Sequence, residues 1–289
     1  MRIGQFRNDA ARTKFITAYD RVFTAVWPLP RWAVDVPTAF GTTRVYRGGP
    51  SEGPPVVLLP GAGGNALSWY GYAAALAAHH PVIVVDPVGE PGASVQTAPV
   101  ADGPDAGRWL DQLLAGLDVT DAHVVGCSYG GWTALHAVLA APGRVARLTL
   151  VEPAGFAEVG ARFIGWIIAG GLAGLAPRAL RPRLARLVGN STILETELMS
   201  LALPSAGFRR KLPPATVFTD EELRAVGVPV SVLLGARSTL HRSAQVAARL
   251  ADVAPGIRVE VVPGAGHALQ LDRSELVIDR ILGNVAAGR

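Results

Sequence analysis

The stretch His123–His136, HVVGCSYGGWTALH, decides the fold. Its first part is a short apolar run of the kind that forms a strand buried on both faces. From GGWTALH onward, continued by AVLA, the chain reads as a helix. Between the two lies Gly126-Cys127-Ser128-Tyr129-Gly130, a G-x-S-x-G sequence. A turn this sharp from strand to helix needs small residues on both sides, because a side chain there would collide with the neighbouring backbone. It also lifts the central hydroxyl above the edge of the sheet, forming a nucleophile elbow. Ser128 holds that apex and is the candidate nucleophile. Cys127, flanked by Gly126 and Ser128 off the apex, reads as a small buried neighbour.

Outward from this stretch, apolar runs of strand length alternate with helical patterns. The runs are TTRVYRG, PVVLLPG, PVIVVDP, RLTLVEP, VPVSVLLG and RVEVVPG. The alternation implies the α/β class, with a mostly parallel sheet covered by helices on both faces. Chemistry in such sheets gathers at the carboxyl ends of the strands. The rhythm breaks between Ala154 and Thr219, where apolar helical segments are punctuated by Pro177, Pro182, Pro204 and Pro213-Pro214. The expected organisation is a helical extension over 1–35, a core over 36–153 and 220–289, and an inserted helical cap over 154–219. Within the extension, Phe15, Tyr19, Val22, Phe23 and Val26 recur at helical spacing. They imply a helix packed on the body or the cap, in preference to one lying on a membrane surface.

Composition narrows the class further. The chain has 289 residues, 49% hydrophobic and 17% charged, which is globular and apolar, with a formal net charge of +4. A balance this modest gives no reason to expect a nucleic-acid partner. The single cysteine, Cys127, excludes an intramolecular disulfide and a cysteine-rich metal site, and favours the cytoplasm. The N-terminal MRIGQFRNDAARTKF lacks the apolar core of a signal peptide. FIGWIIAGGLAGLA, Phe163–Ala176, is too short and glycine-broken for a membrane span, so a soluble protein is expected. His79, His80, His123, His136 and His241 are scattered without metal-ligand spacing, and neither metal nor cofactor is expected. The cluster Gly61, Gly63, Gly64 lacks the spacing of a dinucleotide or phosphate loop.

The ordered landmarks LLPGAGG, VVDPVGEPGAS, GCSYGG and PGAGHAL resemble the α/β-hydrolase family over nearly the whole chain. VFTDEELRAVGVPVSVLLG and GAGHALQLDRSE look most like the bacterial carboxylesterases of the naproxen-esterase type. The resemblance implies that His267, on the glycine-supported loop after the last strand, is the general base. It also implies an oxyanion hole made by the backbone N–H groups of Tyr129 and Ala62. Pro60 stands where most relatives carry a loop-bracing histidine.

One member of the expected set is missing. Most relatives carry the triad acid shortly after the strand written here as VSVLLG, and this chain has Ser238 there. A hydroxyl cannot stabilise an imidazolium as a buried carboxylate does. Some relatives carry the acid one strand earlier, where this chain has Glu152. Its side chain would either reach His267, or merely pair with an arginine or cap the entrance to the cap domain. Asp86, Asp252 and Asp272 fit the role less well. The leading expectation is a serine hydrolase that cleaves a carboxylic ester of an apolar small molecule through an acyl-enzyme, with Phe163, Trp166 and Ile167 lining the pocket. Ile164 and Ile168 are further lining candidates, although all five residues would equally serve as the cap's own core. The alternatives are a lyase or cyclase of specialised metabolism, motivated by the absent acid, a thioesterase, and a non-catalytic binding module. Arg178, Arg181, Arg183 and Arg186 would offer a thioesterase a basic face for an acidic carrier protein, or simply form a solvated helix face.

Overall fold

A computed structural model describes residues 3–286. Eight strands form the main sheet: β1 Trp32–Thr38, β2 Gly41–Gly48, β3 Val56–Leu59, β4 Val82–Asp86, β5 Ala122–Cys127, β6 Val145–Val151, β7 Val230–Gly235 and β8 Ile257–Val262. Their order across the sheet is β8-β7-β6-β5-β3-β4-β2-β1. β3 to β8 are parallel to one another, while β2 runs antiparallel to both β1 and β4. A two-residue strand, Val95–Gln96, adds to the margin of β2.

Strand geometry sends successive side chains to opposite faces, and both faces are covered. Val57 and Leu59 point into one core with α3 (Gly103–Gly116), α4 (Tyr129–Ala140) and the later helix Ser243–Val253. Val56 and Leu58 point into the other with α1 (Asp9–Val26), α2 (Tyr70–Ala77) and the last helix, Ser274–Ala286. Burial of both faces is why these strands read as unbroken Val/Leu runs.

The boundary expected at residue 35 falls inside a strand, since β1 begins at Trp32. β1 is an edge strand with Trp32 59% exposed. That position tolerates Pro37 and Asp35, which conceal a strand from a reading based on apolar runs. α1 is capped by Asn8, whose side chain accepts from Ala11 N at 2.8 Å. Its Phe15, Tyr19, Val22 and Phe23 are buried in the second of these cores, with Val56 and Leu58, and Tyr19 Oη donates to Asp86 at 3.0 Å. The extension is therefore packed onto the body. No main-sheet strand occurs between Val151 and Val230 among the described residues. That insertion contains α5 (Ala161–Gly174) and α6 (Arg181–Val188), followed by shorter helices, and Phe208–Arg209 pairs antiparallel with Gln5–Phe6. Among the described residues, no helix is long and apolar enough to cross a membrane.

Candidate active site

Ser128 joins β5 directly to α4 with φ +49° and ψ −115°, a conformation L-residues avoid and one that costs on the order of 1–3 kcal/mol. The glycines beside it are required by contact. A Cβ on Gly126 would lie 2.6 Å from Gly130 O, and one on Gly130 would lie 2.5 Å from Leu59 O. The turn is anchored by Ser128 N donating to Val151 O at 3.0 Å and by Ala154 N donating to Ser128 O at 3.0 Å. The Tyr129 N–H stands in the first turn of α4, where helix geometry supplies no intrahelical acceptor. Gly61 borders Ser128 closely, since a Cβ there would sit 3.3 Å from Ser128 Cβ. The exposed Ala62 follows on the same loop. Cys127 is buried, and burial pushes its thiol well above the ordinary range, with the Glu152 charge adding to the shift. It therefore has little thiolate character at neutral pH.

Glu152 lies beside both Ser238 and His267. It sits immediately after β6, fully buried, with φ +49°. Its Oε1 accepts from Gly235 N at 2.5 Å. Its Oε2 accepts from Ser238 Oγ at 2.5 Å and lies 2.9 Å from His267 Nδ1. Ser238 Oγ in turn accepts from His241 N at 3.2 Å, which leaves its own proton directed at the carboxylate. Ser238 thus donates to the same carboxylate that faces the histidine. Of the weaker candidates, Asp86 is held by Tyr19 and by the N–H groups of Ala66 and Ala93, while Asp252 and Asp272 are exposed.

Two side chains expected in the insertion cover His267. Phe163 and Trp166 stack on each other at 5.7 Å, and each ring meets the imidazole edge-on, at 4.7 Å and 5.4 Å. Trp166 Nε1 donates to Gly189 O at 3.0 Å, which fixes the indole. Ile167 is not brought to this face. It is 51% exposed on the outer side of α5, because one residue of helix turns a side chain by about 100°. Ile164 and Ile168 also lie outward.

Glu90 and Arg210 were not singled out from the sequence. Glu90, buried after β4, accepts from Gly63 N at 3.1 Å and from Arg210 Nε at 2.7 Å. Burial pushes its carboxyl above the usual range, against the opposing pull of Arg210. The Arg210 guanidinium lies 4.6 Å over the Tyr129 ring, and Tyr129 Oη donates to Pro213 O at 3.0 Å. The loop beside Ser128, the helix after it and the end of the insertion are therefore joined through one ion pair. Glu90 lies within the landmark VVDPVGEPGAS, as an acid among apolar and small residues, whereas Arg210 carried no distinguishing signal. Among the described residues no group of three or more His, Cys, Asp or Glu is placed to hold a metal ion.

Comparison with known proteins matches residues 54–205 to the alpha/beta hydrolase fold. The chain is 30% identical to carboxylesterase YbfK of Bacillus subtilis (strain 168), over 98% of this chain and 97% of that protein. It is 27% identical to the uncharacterized carboxylesterase nap of the same organism, over 89% and 88% of the two chains. The crystal structure of naproxen esterase (carboxylesterase NP) from Bacillus subtilis superposes with a TM-score of 0.82 at 26% identity, covering 96% of this chain and 98% of that one. With a family match over more than half its length and similarity to carboxylesterases from end to end, the chain belongs to the α/β-hydrolase family.

Proposed function

We propose that the protein is a serine carboxylesterase in which Ser128, His267 and Glu152 form the triad. The observation that carries this reading is the 2.9 Å contact between His267 Nδ1 and the buried Glu152 carboxylate. Glu152 holds the imidazole in the tautomer whose Nε2 accepts a proton. Ser128 Oγ attacks the ester carbonyl and passes its proton to Nε2. The N–H groups of Tyr129 and Ala62 stabilise the oxyanion. The alcohol departs with the proton from His267, and water activated by the same base releases the acid from Ser128. With Glu152 in this place, the absent carboxylate at Ser238 no longer argues for lyase or cyclase chemistry.

The experiment that tests this reading combines fluorophosphonate labelling with turnover of short-chain aryl esters. Labelling and turnover together are expected. Labelling without turnover would contradict hydrolysis.

The insertion acts as a cap over the site, and Phe163 and Trp166 favour an apolar small-molecule ester. Trp166→Ala is expected to raise KM for bulky esters by about tenfold, the low end of what one apolar contact contributes to discrimination. Turnover of small esters should change less, because Phe163 still covers the imidazole. Steady-state kinetics across a series of acyl sizes checks this, and equal loss for all sizes would contradict it. The Glu90–Arg210 pair braces the loop that carries Ala62. Glu90→Gln is expected to lower kcat on the order of tenfold, about 1.4 kcal/mol of transition-state stabilisation, with KM little changed. A rise in KM at constant kcat would place Glu90 in substrate binding instead.

A further inference from the structure

Ten of the twelve large hydrophobic side chains exposed among the described residues lie between Val159 and Leu203. Five of them form one stripe. Ile164, Ile167, Ile168 and Leu172 on α5, with Leu175 just past its end, recur at three- and four-residue spacing and are 49% to 69% exposed. The opposite side of the same helix carries Phe163 and Trp166 against His267 and buries Gly170, Ala173 and Gly174. α5 is thus apolar on both sides while covered on one, and an uncovered apolar face of this extent marks a surface that meets something else.

Charge identifies the occupant. From Val159 to Leu194 the chain has no acidic residue and five arginines. Four of these, Arg178, Arg181, Arg183 and Arg186, lie at and beyond the end of the stripe, on α6 and the turn before it. None of the four forms an ion pair with a carboxylate among the described residues. A second copy of the chain laid on this face would offer the arginines no carboxylate, since none occurs from Val159 to Leu194, so self-association lacks charge complementarity. A folded protein partner would find no hydrogen-bonding side chain along the stripe. An anionic lipid surface satisfies both features, because headgroups neutralise the arginines while Ile and Leu enter the boundary with the acyl chains.

We propose that the outer face of α5 and the arginines of α6 dock the protein on an anionic phospholipid surface, lying on it and not crossing it. Docking is independent of the catalytic reading, since no proposed triad member takes part in it.

The test is co-sedimentation of the full chain with vesicles of phosphatidylcholine alone and of phosphatidylcholine with phosphatidylglycerol. The parent protein is expected to bind the anionic vesicles at least tenfold more tightly than the neutral ones, and raising the salt concentration should weaken binding. Ile168→Asp combined with Leu172→Asp, and separately Arg183→Glu combined with Arg186→Glu, should each reduce binding at least tenfold. Circular dichroism and short-chain ester turnover, kept near parental values, show that these surface variants are folded. No binding of the parent to anionic vesicles would overturn the proposal, as would equal binding by parent and variants. So would a dimer in light scattering that the Ile168→Asp, Leu172→Asp variant abolishes, or retention of an acidic carrier protein without retention on vesicles. The salt titration uses only the parent protein, so it decides the electrostatic part even if a variant fails to fold.

Discussion

Ser128→Ala is expected to abolish both ester turnover and covalent fluorophosphonate labelling, while Cys127→Ala retains most of each. The difference follows from the turn at the end of β5. At φ +49° Ser128 occupies the apex between strand and helix, whereas the neighbouring Cys127 is packed among apolar side chains with its thiol held protonated by burial. Intact-mass analysis after labelling checks the assignment. A labelled Ser128→Ala protein would mean that another residue carries the nucleophile. A residual hydrolysis about a millionfold below the parent is all that should survive, because oxyanion binding and positioning outlast the loss of the hydroxyl.

Glu152→Gln is expected to lower turnover by about ten-thousandfold with the fold retained, by analogy with removing the charge of a serine-protease triad acid. The carboxylate accepts from Gly235 N, Ser238 Oγ and His267. A glutamine can preserve the bond from Gly235 through its carbonyl oxygen. Its amide NH2 then faces Ser238 and the imidazole, and a donor there turns His267 Nδ1 into an acceptor. Nε2 then carries the proton and cannot take one from Ser128. Ser238→Asp should not restore activity to this variant. In the parent background it should reduce activity, because a second carboxylate would stand in hydrogen-bonding contact with Glu152 and one of the two would be driven to protonate. Steady-state kinetics on short aryl esters, with circular dichroism as the control for folding, checks each outcome. A gain of activity in Ser238→Asp would return the acid to the position most relatives use.

The central strands were legible because a strand buried on both faces must be written in an unbroken apolar alphabet, as in Val56–Leu59 and Val82–Asp86. β1 was not, because an edge strand is half solvated and accommodates Asp35 and Pro37. Ser128 and His267 were legible from local patterns, a five-residue turn and a glycine-supported loop. Glu152 was visible only as an acid at a strand end. The hydrogen bonds it makes depend on β6 lying beside β7, which sets it against Gly235 and Ser238, 83 and 86 residues away in sequence. The pair Glu90–Arg210, separated by 120 residues, had no local signature for the same reason. In α5 the obstacle was different. A helix that is apolar all round has no amphipathic phase to say which side faces inward. Phe163 and Trp166 consequently met His267 while Ile167 did not.

The rate at which a fluorophosphonate modifies Ser128 tests the triad most directly, since this step requires the base and its acid but no knowledge of the natural ester. The second-order rate constant is expected to be about ten-thousandfold lower in Glu152→Gln than in the parent, and within about tenfold of the parent in Ser238→Ala, which loses one hydrogen bond to the carboxylate and no charge. A near-parental rate in correctly folded Glu152→Gln would contradict Glu152 as the acid of this site.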